Sequence, residues 1–480
     1  MVSFGRRVAD LAEQAPDAVA YVCGDETRTR GQLESRANRL ARAFAARGVR
    51  PGDLVTLVLG NGLELVEACV AAWKLGAVPN PISPRLAPPE REAILALADP
   101  ALVVGVPAAE AGGRPALPAG FEPEAAVSDA PLPDAVPPHE RVLASGGSTG
   151  HPKLIAPASP GVYDPEAPSR IFRARRAVLV PGPMTHAVPF SAAFQGFFGG
   201  AQVVILPRFD ASRCLELVER HRIDRMHLVP TMMLRIWRLP EAERAARDVS
   251  SLEFVMSGSA PLPAWLMRAW IDWLGPDVMC EAFGPSERIG GTFITGREWL
   301  EHPGSVGRPS PGAQLRILDP DTLAELPPGR IGEIFSLPAG GPGSTYRYLG
   351  AQARRTPDGW ESVGDMGWLD ADGYLHLADR RTDMVLVGGR NVYPAEVEAA
   401  LDEHPAVRSS CVIGLPDEDL GHRLHALVEL AGPASDAALL EHLRHRLAPW
   451  KLPRSFERVD RPLRDEAGKL RRSQLRAERL

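Results

Sequence analysis

Paired cysteines are missing from this chain. Its five cysteines, Cys23, Cys69, Cys214, Cys280 and Cys411, are odd in number and scattered, with no C-x-x-C pair. That argues against a disulfide framework or a zinc site and points to a reducing, cytoplasmic setting. Long apolar runs are missing as well. No stretch approaches the ~20 residues of a membrane span, and residues 1–26 lack the apolar core of a signal peptide, so none is expected. There is no excess of positive charge: the net charge is −6 and the isoelectric point is near 6.1. Neither nucleic acid nor an anionic membrane is therefore an expected partner. No internal repeat is evident.

What remains is an ordinary globular composition, 45% hydrophobic and 24% charged. At 480 residues the chain exceeds what one core usually supports, so two or more domains are expected. The 47 prolines and 45 glycines imply many turns. Residues 31–49 carry Leu33, Ala37, Leu40, Ala41, Phe44 and Ala45 at helical spacing, with Gly48 where a helix would stop. Pro51-Gly52-Asp53 is a turn, 54–59 a buried-strand run, and 63–75 a further helix. Strands are also read at 178–180, 203–206, 226–229, 254–256 and 278–283, and helices at 214–221 and 264–274. Strands alternating with helices predict a large N-terminal α/β domain of parallel layers. From 306 to about 378 the runs become short and alternating, which predicts a β-rich subdomain. The charged break Asp379-Arg380-Arg381-Thr382-Asp383 separates residues 1–379 from a small α+β domain, 380–480. Residues 107–140 and 156–169 read as loops rich in proline.

Chemistry concentrates at Ser145 to Lys153, S-G-G-S-T-G-H-P-K, which follows a short apolar segment. Gly146, Gly147 and Gly150 let backbone N–H groups approach an anion and form a nest for phosphate oxygens. Ser145, Ser148 and Thr149 add hydroxyls, and Lys153 a point charge. This is not the G-x-x-x-x-G-K-[ST] phosphate loop, because neither Ser nor Thr follows Lys153. Two later strands end in turns, Ser257-Gly258-Ser259 and Ala282-Phe283-Gly284. The C-terminal ends of parallel strands are the usual ligand side of such a sheet.

The glycine-rich stretch resembles the phosphate-binding signature of the AMP-forming adenylating enzymes: acyl-CoA synthetases, peptide-synthetase adenylation domains and luciferases. The usual form there is S-G-T-T-G-x-P-K, so Ser148 keeps a hydroxyl and Gly147 loses one. The likeness extends to "GVRPGD" and "KLGAVPNPISPRL" upstream, and to F-G-P-S-E, Gly364-Asp365, Gly388-Gly389-Arg390-Asn391 and Gly468-Lys469-Leu470 downstream. "SGGSTGHPKLI" and "GREWLEHPGSVGRP" look most similar to bacterial ligases for bile acids and related bulky carboxylates.

The resemblance implies a reaction in two halves. A carboxylate attacks the α-phosphorus of ATP, giving acyl-AMP and pyrophosphate, and a thiol, usually that of CoA, then displaces AMP. It implies that Glu287 helps hold Mg²⁺, with Ser286 beside it. Asp365 would take the ribose hydroxyls, and Arg380 a second ribose or phosphate contact. Lys469 would be the catalytic lysine, and His186 a gate between nucleotide and acid. The acid pocket would include Phe190, Val229, Ser257, Gly258, Ala282 and Phe283, which favour an apolar or aromatic acid. Gly388 and Gly389 would line the thiol path, with the small domain turning about a hinge at Thr382, where the family commonly has Asp or Lys. A carrier-protein thiol or an amine as acceptor, and a catalytically silent nucleotide-binding protein, are the alternatives. The sequence leaves the oligomeric state open.

Overall fold

Strands Ala177–Val180, Gln202–Ile205, Phe254–Ser257 and Met279–Phe283 carry largely apolar runs, and Arg225–Leu228 alternates Met226 and Leu228 with Arg225 and His227. Runs of that kind are buried on both faces and belong in parallel sheets covered by helices. The computed structural model, which describes residues 1–146, 152–466 and 468–480, places them there. They lie in a nine-stranded sheet in the order Met279–Phe283, Phe254–Ser257, Arg225–Leu228, Ala177–Val180, Gln202–Ile205, followed by Val19–Cys23. These neighbours all pair in parallel. Antiparallel strands Thr292–Thr295 and Glu26–Thr29 flank them.

The order matters for function. From Ala177–Val180 the chain crosses one way to Gln202–Ile205, then returns to the other side for Arg225–Leu228 and its successors. The crevice between Ala177–Val180 and Arg225–Leu228 is therefore a topological switch point, where open α/β sheets bind ligands.

A four-stranded parallel sheet, Val78–Ile82, Leu54–Val58, Leu102–Val104 and Ala116–Leu117, forms a second layer. The helix Arg30–Ala45 starts at a capping box between Thr29 and Gln32 and buries Leu33, Ala37, Leu40, Ala41 and Phe44. Helix Ala187–Phe198 is apolar nearly all round, so it becomes a core helix. Its Phe194 meets Trp73 edge-on at 4.6 Å and Phe190 at 4.7 Å. Each such aromatic pair contributes about 0.5–1.5 kcal/mol beyond its area. Phe190, read as a wall of the acid pocket, belongs instead to this cluster, with the Arg141 guanidinium 4.9 Å over its ring.

Residues 314–380 form the β-rich part, in which Gly332–Leu337 pairs antiparallel with Gln314–Leu318 and Asp365–Leu369. Beyond it, two hydrophobic clusters draw only on residues from Val385 onward. They pack around the strands Val407–Asp417, Gly421–Leu430 and Ser455–Arg458. Residues 156–169 hold no helix, as read from the sequence, only the end of Pro152–Pro157 and the short strand Val162–Tyr163. All five cysteines are free. No helix among the described residues is long and apolar enough to cross a membrane.

Candidate active site

The switch point is where the C-terminal segment arrives. Gly468 has φ +75°, and a Cβ there would stand 2.6 Å from Thr231 Oγ1 and 3.1 Å from Val229 Cγ2. Only glycine carries the chain that close to the end of Arg225–Leu228. Lys469 follows, in a loop closed by its own backbone: Lys469 N–H donates to Asp465 Oδ1 at 2.9 Å, and Asp465 N–H to the Lys469 carbonyl at 2.9 Å. Arginines on both sides fasten the loop to the small domain. Arg464 lies 3.8 Å from Glu398, and Arg472 bonds both Glu398 and the Val412 carbonyl.

Lys469 is the one exposed lysine of the four in the chain. Burial by the surrounding protein lowers its pKa, and Arg380 lowers it further. Asp465 and Glu287 act the other way. His186, at the N-cap of Ala187–Phe198, faces the same charge. Burial, and then Lys469, push its imidazole down to about 3, so it is neutral at physiological pH.

Glu287 is buried in the turn after Met279–Phe283, one residue beyond the half-buried Ser286. Lys153 Nζ lies 3.2 Å from Glu287 Oε1 and donates to the Tyr348 hydroxyl at 2.7 Å; that hydroxyl donates to the same Oε1. Burial and the Glu287 charge push the Tyr348 phenol well up, so it stays a donor. No group of three or more metal-ligating side chains occurs among the described residues. A lone carboxylate still fits Mg²⁺, which keeps waters and takes one or two carboxylates plus substrate phosphate oxygens. The Lys153 and Tyr348 contacts to Glu287 both fall on its Oε1.

Asp365 begins the strand Asp365–Leu369, directly across from Arg380, with Arg380 Nε 3.3 Å from Asp365 Oδ1. Burial raises its pKa and Arg380 opposes this. If Asp365 takes the ribose, Asp365→Ala raises the KM for ATP. Hydrogen bonds to a charged group contribute roughly 1.5–3 kcal/mol each, so at least a tenfold change is expected. A 2′- or 3′-deoxy-ATP then loses less in the variant than in wild type. Equal losses in both proteins would take Asp365 out of the ribose site.

The remaining candidates are distributed unevenly. Ser145 and Gly146 pair with Lys153 and Pro152 across an antiparallel ladder. Gly147, Ser148, Thr149 and Gly150 lie outside the described residues. Gly258 lies so close to its neighbour that a Cβ would sit 2.9 Å from the Ala282 carbonyl. Ser259 beside it holds φ +70°, a strained value of the kind that collects at functional sites. Phe283 packs with Val306 and Leu375, while Gly284 is exposed. Ser257 needs correction. Its side chain is fully buried and shares a face with Val255, which packs among Met267 and Trp270. Only its backbone can serve the crevice. Gly388 and Gly389 form the two-residue turn of the hairpin Val385–Val387 and Arg390–Val392. Both have positive φ, 54° and 77°, as a type I′ turn requires. A Cβ on Gly389 would meet nothing within 4 Å.

Sequence reasoning missed Tyr348. Its strand, Tyr346–Leu349, pairs with Pro152–Pro157, a long-range register that local pattern does not encode. It also missed Glu140, which bonds both Arg141 and Arg288 and so braces the residue after Glu287. A third omission is Glu281, on the same strand as Phe283. Burial raises its carboxyl from 4.5 to about 8, opposed by a hydrogen bond from the Leu262 backbone. Because the folded value is the higher one, the stabilisation is complete below about pH 4.5 and is lost as pH rises through about 8. Wild type should therefore melt at progressively lower temperature between those limits, and Glu281→Gln should show a shallower slope. Parallel slopes would refute the buried neutral acid.

A switch-point crevice that gathers a lysine, a carboxylate paired with Lys153, and an Asp–Arg pair defines a nucleotide-dependent α/β enzyme with a separate C-terminal unit. Residues 8–349 match the AMP-binding enzyme family, and residues 396–469 match the AMP-binding enzyme C-terminal domain. The chain belongs to this family. It is 34% identical to a feruloyl-CoA synthase of an Amycolatopsis species, over 97% of this chain and 96% of the relative. It is 31% identical to a fatty acid–[acyl-carrier-protein] ligase of Streptomyces coeruleorubidus, over 97% and 94%. Among solved structures it resembles o-succinylbenzoate CoA synthetase from Bacillus subtilis in complex with its acyl-adenylate intermediate. The TM-score is 0.81 at 26% identity, covering 98% of this chain and 97% of that one.

Proposed function

We propose that this chain is an AMP-forming acid–CoA ligase that uses ATP, Mg²⁺ and CoA. The observation that carries the reading is the arrival of Lys469 at the switch point, within electrostatic reach of Glu287, Arg380 and His186. In the first half reaction a carboxylate oxygen bonds to the α-phosphorus, and the bond to the bridging oxygen of pyrophosphate breaks. Two anions meet, so fixed cations must cancel their repulsion. Lys469 supplies charge between carboxylate and α-phosphate, and Lys153 supplies charge to the leaving pyrophosphate. Glu287 would hold Mg²⁺, which would supply positive charge to the phosphates. Asp365 and Arg380 hold the ribose, and neutral His186 separates acid from nucleotide without adding a charge. In the second half, the CoA thiol bonds to the acyl carbon and AMP leaves.

Residues 380–480 act as a mobile domain in this reading. The break at 379–383 is held from both sides: Arg381 bonds Glu333 of the β-rich sheet, while Asp383 lies 3.3 Å from Arg472 of the small domain. An apolar or aromatic acid fits Val229, Met256 and Phe283 along the crevice. The free cysteines fit a cytoplasmic setting. The narrower likeness to bile-acid ligases gains nothing from the relatives' names. A carrier-protein acceptor is the second reading, favoured by the Streptomyces relative.

The test is pyrophosphate release from ATP across a panel of acids, with and without CoA. Acid-dependent release followed by CoA thioester is the expected result. Acyl-AMP that accumulates and never reaches CoA transfers the assignment to another acceptor. No acid-dependent release from any acid removes the ligase reading.

A further inference from the structure

The turn that carries Glu287 holds a strained residue. Arg288, next in the chain, has a left-handed backbone with φ +56°. Five non-glycine residues among those described have a positive φ. Asp99 and Arg222 cap the C-termini of helices, where a left-handed residue is common. Leu323 sits in an exposed turn closed on the Asp319 carbonyl. Ser259 and Arg288 remain, one in each of the two turns that follow neighbouring strands at the crevice. Asparagine or aspartate in this conformation can bond its own backbone locally, but arginine bears the steric cost in full. Glycines stand at 290 and 291, yet the left-handed position falls on Arg288.

The guanidinium is what holds it there. Arg288 Nη2 donates to Glu140 Oε1, which also accepts from Arg141 Nη1. Glu140 and Arg141 are 7% and 3% exposed. Burial raises the Glu140 pKa, but Arg141 and then Arg288 outweigh it, so the carboxylate stays ionised. Glu140 is itself fixed to the aromatic core. Its carbonyl accepts from Trp73 Nε1 at 2.8 Å, and its N–H donates to the Ser159 carbonyl at 3.1 Å. Arg141 lies over Phe190 of the same cluster. Arg141 alone would balance the charge of Glu140. The Arg288 bond is therefore surplus to neutrality, and what it adds is a fixed link between the core and the turn.

That link bears on Glu287. Arg288 N–H closes the turn on the Pro285 carbonyl at 3.0 Å. The Glu287 carbonyl accepts from Thr345 Oγ1 at 2.9 Å. On the far side Ile289 is buried against Ile155 and Tyr346. A change of φ at Arg288 reorients the peptide between Glu287 and Arg288, and with it the carboxylate that meets Lys153 and Tyr348.

We propose that the Glu140–Arg288 ion pair is a positioning device: it holds Arg288 left-handed and so presets the Glu287 carboxylate for the metal that accompanies ATP. The proposal rests on the reading of Glu287 as the Mg²⁺ residue. Glu140 and Arg288 touch neither substrate nor metal in it and act only through the backbone of the turn.

The test is calorimetric titration of the full-length enzyme with MgATP, and with ATP in excess chelator. No acid is added, so turnover does not enter, and the difference between the titrations isolates the metal-dependent part of binding. Arg288→Ala lacks the tether but keeps the steric penalty, so MgATP should bind about tenfold more weakly while metal-free ATP is unaffected. Arg288→Gly also lacks the tether, but glycine adopts this φ freely, so its MgATP affinity should stay within about threefold of wild type. An alanine variant that binds MgATP as wild type does overturns the proposal, and so do alanine and glycine variants that are equally weak. Glu287→Gln is the control. If it loses metal-dependent affinity while Arg288→Ala does not, the positioning device falls and the Glu287 reading stands. If Glu287→Gln binds MgATP as wild type does, both fall. Glu140→Gln leaves the buried Arg141 charge unpaired, which is strongly destabilising. If it stays folded it should repeat the Arg288→Ala loss, and wild-type affinity there also overturns the proposal. If it melts before titration, the Arg288 variants decide alone.

Discussion

Lys469→Ala should abolish acid-dependent ATP–pyrophosphate exchange while leaving thioester formation from supplied acyl-AMP largely intact. The asymmetry follows from where the charge is needed. Negative charge builds between carboxylate and α-phosphate only in the first half reaction. Losing one preorganised electrostatic partner there costs on the order of 10²–10³ in rate. The lysine's tether consists of backbone bonds to Asp465 and of Arg464 and Arg472 on Glu398, none of which needs the ammonium. The variant should therefore keep its melting temperature. Exchange and thioester formation, assayed separately on one preparation, check the claim. Equal slowing of both halves would remove the division of labour.

The converse effect is expected at Gly389. Gly389→Trp should stop CoA thioester formation from acyl-AMP while exchange continues. Gly388 is held on Leu420, whereas a Cβ on Gly389 would meet nothing while Lys469 lies at the crevice. On the proposed reading the small domain brings the two segments to the crevice in turn, by rotating about residues 379–383. Tryptophan also strains the φ of +77°, so Gly389→Asn is the paired control, since asparagine tolerates the left-handed region without the bulk. A thioester rate lost in the tryptophan variant and kept in the asparagine variant assigns the effect to a blocked path. If CoA transfer survives tryptophan, the thiol enters elsewhere.

The sequence carried the architecture well because the architecture is periodic. The apolar runs at 178–180, 203–206 and 254–256 admitted few outcomes other than covered parallel strands. The switch point was not visible in the same way, because it depends on the side to which each crossover returns. Phe190 illustrates the limit. Its pattern reads equally as pocket wall or core, and Trp73, distant in sequence, decides for core together with Phe194 one helical turn on. Tyr348 was hidden because its strand register is set nearly two hundred residues upstream. Ser257 misled for a simpler reason: its motif marks a backbone position, while the alternation along the strand turns its hydroxyl inward.

The scarcity of lysine has a chemical consequence of its own. Acyl-adenylates are acylating agents, and amines are their readiest targets on a protein surface. Guanidinium groups, always protonated, are not nucleophiles. Only four of the chain's 54 basic residues are lysines. Lys74 is buried on Glu34 at 2.7 Å, Lys451 is clamped by Glu396 at 2.6 Å, and Lys153 is bonded to Tyr348. A surface whose positive charge is almost entirely arginine keeps its solubility and ion pairs while offering escaped intermediate almost nothing to modify. The chain thus offers its own intermediate few side-chain amines, its one exposed lysine being Lys469 at the crevice proposed for the reaction.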